Sequence, residues 1–363
     1  MQVPGFRTSR KIVVFESDDW GSIRMPNKLV YDQLLQKVKG IDKLPYQRYD
    51  TLANAADLKA LFACLRSFKD HHENYPVITA NTLMVNPDFE KIKQDNYENY
   101  HYESFTKTIE RYYGNEVFPL WKQGIQEGVF FPQFHGREHL NVKRWLFALQ
   151  ENIGHVRLAF EHGLFDLSTS LRIEENSFMD ALDISAKEDL LELQNILKEG
   201  LTLFEEVFGY KSKTFIAPCY VWSEELEYTL KQAGIIGLQG GWFQKVPLPG
   251  APGKYKNKLH YTGQKNKHKQ VYLVRNAAFE PSDNPDFDWI KDVLHRAEVA
   301  FSMGKPLIIS THRINFIGAL VPENREKNLD LLSNLLTQLL KYYPEIEFVN
   351  SAQLVDIISK KKN

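Results

Sequence analysis

The stretch Val13-Val14-Phe15-Glu16-Ser17-Asp18-Asp19-Trp20-Gly21 begins as a β-branched, apolar run and ends in two adjacent carboxylates. Such a run reads as a buried strand. Neighbouring side chains on a strand point to opposite faces, so Asp18 and Asp19 cannot serve one site while the strand stays regular. They converge only where the backbone turns, and Gly21 supplies that freedom. In α/β folds, ligands gather at the carboxyl ends of strands. The alternative is a solvated acidic turn, and partners elsewhere in the chain have to decide between the two.

Strand and helix patterns alternate from this stretch onward. Further strands are expected at 76–85, 129–134, 213–217, 235–238, 271–279, 306–310 and 346–349. Pro26 suits the first turn of a helix. Asp57 reads as an N-cap, with Leu58, Leu61, Phe62, Leu65 and Phe68 following at helical spacing. A Leu-rich helix spans about 186–208, Asp288-Trp289 opens another, and Ser351 caps the last. Sequential βα units favour a parallel sheet, closed as a barrel or open and doubly wound. The chain, 1–363, reads as one domain with insertions near 95–128, 152–183 and 245–270. The last of these holds seven Lys and reads as a solvated excursion; a flap over the cleft is the alternative.

Composition narrows the function classes. With 43% hydrophobic and 25% charged residues, the chain is ordinary globular protein. A formal net charge of -1 leaves no electrostatic footprint for nucleic acid or an anionic membrane surface. No apolar run approaches the ~18 residues of a membrane span. Residues 1–10 lack the apolar core of a secretory signal, so a cytoplasmic location is expected. Two cysteines, Cys64 and Cys219, make neither a disulfide framework nor a metal motif. There is no Gly-rich dinucleotide fingerprint and no phosphate loop, which argues against a nucleotide cofactor.

Three strand ends carry polar groups: Asp18 and Asp19, then His135 and His139, then His312. In a barrel of parallel strands such ends meet at one mouth. If Gly136 to His139 begins a helix, both imidazoles lie on one face. Two His and one carboxylate form a familiar zinc set with a position left open for water. Each feature alone has a plain structural explanation, such as a satisfied core histidine. Their shared placement at carboxyl ends favours a site.

On these motifs the sequence resembles the polysaccharide deacetylase family, carbohydrate esterase family four. The family's opening Asp-Asp strand is matched by Ser17-Asp18-Asp19. Its His-Ser/Thr-x-x-His motif is matched by His135 to His139, with Gly136 in the hydroxyl position. Its Arg-x-Pro element is matched in part by Phe215-Ile216-Ala217-Pro218-Cys219. Its Asp-Trp element is matched by Asp288-Trp289, and its strand ending in His by Ile308 to His312. The resemblance implies a distorted (β/α)7 barrel holding one divalent metal. Zinc is the expected ion, with Co²⁺, Ni²⁺ or Mn²⁺ also compatible with such ligands. It implies Asp19, His135 and His139 as metal ligands, Asp18 as general base and His312 as general acid. It also implies an oxyanion contact from the backbone N–H of Cys219, with Tyr220 and Trp20 as neighbouring substrate contacts.

The implied activity is removal of an N-acetyl group from a sugar or glycan precursor. An amide resists hydrolysis because its carbonyl is weakly electrophilic and its amine leaves badly. A metal answers the first difficulty by polarising the carbonyl and acidifying a bound water. Asp18 then takes a proton and His312 supplies one to the departing nitrogen. Two departures stand out. Ile216 occupies the place of the family's base-orienting Arg; Arg24, Arg137, Arg275 or Arg313 could supply that charge. The carboxylate that tunes His312 could be Asp288, Glu280 or Asp283. The competing functions are hydrolysis of another amide or acyl group on the same scaffold, and a glycan-binding protein that has lost catalysis.

Overall fold

The computed structural model describes residues 4–167 and 178–360, so residues 168–177 of the expected insertion at 152–183 lie outside the described residues. Among the described residues, thirteen strands follow one another in chain order. They are β1 Lys11–Trp20, β2 Ile78–Leu83, β3 Val85–Pro87, β4 Tyr102–Ser104, β5 Phe130–Gly136, β6 Thr214–Ile216 and β7 Gly237–Gly240. Then come β8 Phe243–Pro247, β9 Tyr255–Leu259, β10 Val271–Val274, β11 Ala277–Ala278, β12 Leu307–His312 and β13 Ile346–Phe348.

The main sheet runs β10-β7-β6-β5-β2-β1-β12-β11, with β13 added on β1. Its pairings are all parallel. The two ends of this order, β10 and β11, are consecutive in the chain. Arg275 N–H donates to the Gly240 carbonyl beside β10, and Asn276 N–H donates to the Ile308 carbonyl beside β11. One stave therefore changes neighbour at Arg275–Asn276 and closes the ring. The result is a distorted (β/α) barrel with seven staves. The distortion lies in that split stave.

Alternation along the staves sorts their side chains. Ile12, Val14, Val271, Leu273 and Ile308 form one buried cluster with Leu354, Val355 and Ile358 of the helix Ser351–Lys360. That helix plugs the amino end of the barrel. Two and four residues further along the same faces come Glu16 and Asp18, Arg275, and Ser310 and His312. The interior thus changes from apolar to charged toward the carboxyl end. The opposite faces, with Val13, Phe15, Phe130, Phe134 and Ile309, pack under the surrounding helices. Each such side chain stabilises the fold by about 1.5–3 kcal/mol relative to exposure.

Local signals were refined rather than overturned. Asn54, not Asp57, caps the helix Ala55–Arg66; Asp57 completes a reciprocal capping box by accepting the Asn54 N–H. Asn27, not Pro26, sets the start of the helix Lys28–Lys37, because its side chain accepts the Val30 N–H. The Lys-rich stretch 245–270 contains most of an antiparallel hairpin, β8 with β9. Among the described residues, no helix is long and apolar enough to cross a membrane.

Candidate active site

Asp18 follows the inward register of β1 and lies level with His312 of β12. Asp19 should point away from it. Instead Asp19 has φ of 71°, and the β1–β2 pairing slips between Ser17 and Trp20. This bulge re-aims Asp19 toward the barrel mouth. The turn thus occurs inside the strand at Asp19, before Gly21 is reached. A non-glycine residue held in this region carries strain, and such strain concentrates at functional sites. Trp20 does not line the cleft as expected. It is 1% exposed, packs edge-on against Trp121 and Phe130, and donates its indole N–H to Ser17. The bulge that brings Asp19 inward sends the next side chain into the outer core.

His135 stands near the end of β5, and His139 lies in the loop before the helix Val142–Gln150. The two imidazoles do not share a helical face. The loop is held by the Arg137 carbonyl, which accepts both Met84 and Val85 N–H groups at 2.9 Å. The rings stand nearly perpendicular, 84°, with centroids 5.1 Å apart. Both Nε2 atoms lie 3.5 Å from Asp19 Oδ1. His135 Nδ1 is 3.0 Å from the Ile216 carbonyl, which requires the proton on Nδ1 and leaves Nε2 as a donor of electrons. Burial first of all lowers the His139 pKa, to about 3, keeping its ring neutral. Burial opposes the charge on Asp19, yet Arg24, then His135 and His139, hold its carboxyl well below the usual range.

Asp19 Oδ1 and His135 Nε2 are buried and lack hydrogen-bond partners. Unpaired polar atoms this deep call for an explanation. With His139 they form a group whose ligand atoms lie within 4.8 Å of one another. One carboxylate and two neutral imidazoles suit a divalent ion with a position to spare. The described residues contain one other such group, His71, His72 and Glu347 beside the amino end of β1, but Arg10 already occupies both oxygens of Glu347.

Gly136, where the resemblant family carries a hydroxyl residue, has φ of +133°, and an added Cβ would sit 3.2 Å from the Glu138 carbonyl. Its departure from the motif is conformational. Gly136→Ser is expected to cost about 1–3 kcal/mol of stability, read as a lower urea midpoint. An unchanged midpoint would contradict this account.

Of the four candidate arginines, Arg275 reaches Asp18. Its Nη1 and Nη2 bond the two Asp18 oxygens at 2.7 and 2.6 Å, and its Nε bonds Glu16 at 2.7 Å. Arg24 pairs with Asp19, Arg137 with Glu138 and Glu199, and Arg313 with Asp50. Arg313 is fully buried on the far side of the Asp19 loop, so it does not orient Asp18. Asn81 also donates to Asp18 Oδ1 at 2.7 Å. Burial works against the Asp18 charge, but Arg275 prevails and its pKa falls to about 2.

Of the three candidate carboxylates, Glu280 touches His312, Oε1 to Nδ1 at 2.7 Å, and Asn315 holds its other oxygen at 2.8 Å. Asp288 is spent as the N-cap of the helix Trp289–Ser302, and Asp283 lines the cleft. His312 Nε2 lies 3.9 Å from Asp18 Oδ2. Burial disfavours its charge, but Glu280, then Asp18 and Asp19, push its pKa up to about 10. Because the folded value exceeds the unfolded ~6.5, this stabilisation is complete below that pH and is lost as pH rises through about 10. Glu280→Gln is expected to shift the alkaline limb of any activity profile down by ~1 unit or more. A limb that stays put would remove Glu280 from this role.

Asp18, Asp19, His135, His139 and His312 line one cleft of about 480 Å³, together with Arg24, Leu44, Pro45, Tyr46, Gln47 and Lys245. Cys219 and Tyr220 lie here as expected, both in left-handed conformations, φ of 54° and 60°. Burial raises the Cys219 thiol pKa and so favours its neutral form. Tyr220 Oη accepts from Arg275 at 3.2 Å. Tyr46, set edge-on to His312 with centroids 5.8 Å apart, and Lys245 escaped the sequence reading. The short helix Pro45–Tyr49 and the hairpin root carry no motif; only folding brings them to the mouth.

No family model matches the sequence, and no curated protein matches it. Solved structures are similar at low identity. A Mycobacterium smegmatis protein designated a polysaccharide deacetylase shares 13% identity, with 99% of this chain and 93% of that one covered and a TM-score of 0.46. A Pseudomonas aeruginosa PAO1 protein so designated shares 10%, covering 97% and 92%, with a TM-score of 0.45. The 4-alpha-glucanotransferase of Thermococcus litoralis shares 10%, covering 98% of this chain and 41% of that one, with a TM-score of 0.46.

Proposed function

We propose that the protein is a metal-dependent hydrolase that removes an N-acetyl group from a sugar or glycan precursor. The observation that carries this reading is the division of labour around one cleft. Asp19 Oδ1, 3.5 Å from Nε2 of both His135 and His139, makes a ligand set, while Asp18 and His312 stand beside it, each with its own counter-charge. Asp19, His135 and His139 would hold a divalent ion, zinc by preference, which would supply Lewis acidity to the cleft. Asp18, kept ionised and aligned by Arg275, takes the proton from the attacking water. The backbone N–H of Cys219 contributes to holding the developing oxyanion. His312, kept protonated by Glu280, gives its proton to the nitrogen as the C–N bond breaks. Acetate and a free amine result, and each carboxylate or imidazole then returns to its starting state by exchange with solvent.

The salt bridge from Arg275 supports a working site over an inactive scaffold, because the charge missing at Ile216 is supplied from the kink between β10 and β11. The test is a purified preparation assayed for bound metal and for acetate release from N-acetylated mono- and oligosaccharides, with simple N-acyl amides in parallel. About one ion per chain and turnover of a saccharide are expected. Turnover that survives complete metal removal would overturn the reading; turnover of the simple amides alone would replace the substrate class.

A further inference from the structure

Asp19 is shared between two kinds of neighbour. Its Oδ2 accepts from Arg24 Nη2 at 3.2 Å, while Oδ1 alone faces the two imidazoles. Arg24 is itself gripped from several sides. Its Nε lies 3.7 Å from Asp50 Oδ2, its Nη1 meets Met179 Sδ at 3.1 Å, and its guanidinium lies against Tyr46 and Phe165 at 5.7 and 5.4 Å. Asp50 is fixed in turn by the fork of Arg313, 3.0 Å to each oxygen, and Arg313 Nη1 donates to the Ser22 carbonyl at 2.7 Å. Asp50 and Arg313 have no exposed side-chain surface. Charges therefore alternate from Arg313 through Asp50 and Arg24 to Asp19, tying the end of β12 to the bulge of β1.

We propose that Arg24 is a positioning residue that makes Asp19 a one-oxygen metal ligand. This rests on the reading of Asp19, His135 and His139 as the ligand set. A free carboxylate beside a divalent ion can bind through both oxygens and fill the position that a substrate oxygen needs. Arg24 withdraws one of the two. Its charge also repels the ion, so the arrangement sacrifices affinity and leaves the cleft more positive toward an incoming acyl oxygen. The chain through Asp50 and Arg313 keeps Arg24 from turning to follow the substrate.

The experiment replaces Arg24 with methionine in the full chain, strips the metal, and reloads wild type and R24M with Co²⁺. Three quantities are read: the visible absorption of bound cobalt, the dissociation constant by chelator competition, and the turnover of an N-acetylated saccharide. With Oδ2 released, coordination should rise by one and the visible bands should weaken. Binding should tighten roughly tenfold because a like charge has gone, while turnover falls. An arginine that merely braced the loop would loosen the ion and leave the bands unchanged; either of those results overturns the proposal. Wild-type protein that binds no cobalt overturns the ligand assignment, and the role of Arg24 with it. If R24M does not fold, R24L, likewise neutral and unable to donate to Oδ2, is judged by the same readouts.

Discussion

His135→Ala is expected to lose its bound metal and, with it, activity by on the order of 10³-fold or more, since Lewis-acid stabilisation is worth several kcal/mol of barrier. His135 is singled out because its neighbours fix it so completely. The Ile216 carbonyl sets its tautomer, β5 sets its direction, and Nε2 is left buried without a partner. Replacing the ring deletes one of the three proposed ligands and leaves Asp19 still held by Arg24. Metal analysis of the dialysed variant should give well under one-tenth of an equivalent, roughly, given how steeply affinity falls with ligand number. Thermal unfolding of the metal-free forms separates this from misfolding: wild type and variant should then melt close together. A variant that keeps its ion and its rate would end the assignment of the site.

Arg275→Met is expected to produce the largest loss of stability. It leaves Asp18 and Glu16, both buried, without the guanidinium that bridges them. Breaking a buried pair by removing one partner costs about 3–5 kcal/mol, here with two carboxylates stranded. The pH dependence should change sign. In wild type the Asp18 pKa is about 2, below its unfolded value, so its contribution is present above ~3.9 and is lost as pH falls through about 2. Without Arg275, burial is opposed only by the weaker pull of His135 and His312 and by the Asn81 hydrogen bond, so that pKa is expected to rise above the unfolded value. The variant should then lose stability as pH rises through the carboxylate range. Urea midpoints measured from pH 3 to 8 distinguish the two slopes. Activity should fall with stability held constant, because a protonated Asp18 takes no proton. A midpoint within experimental error of wild type at neutral pH would show that Glu16 and Asp18 find other compensation.

The continuous apolar run Val13 to Phe15 and the apolar spacing of Leu58, Leu61, Phe62 and Leu65 are local patterns, and they set the strands and helices where expected. His312 sits at the end of β12 and Asp18 at the end of β1, as their strand-end positions implied. The route by which the Asp pair converges was not legible. An Asp-Asp-Trp-Gly string does not say whether the turn falls on Asp19 or Gly21. That choice is made by the β1–β2 register, which involves residues some sixty positions away. Trp20 turns into the outer core for the same reason.

Ile216 offers the clearest lesson. A gap in a linear motif suggested a missing charge, but the charge comes from Arg275, at the kink between β10 and β11. The choice among four arginines and three carboxylates depends on which side chains meet in space, and contact distances of 2.6–2.7 Å decide it. The alternation of strands and helices and the identities of the groups at the strand ends are properties of neighbouring residues, so the sequence alone determined them. Which buried charge pairs with which, and how Asp19 is turned toward two imidazoles, are properties of the closed ring. Only the tertiary structure decided them, because a buried ion is stabilised by whatever partner the fold brings within reach, however distant in the chain.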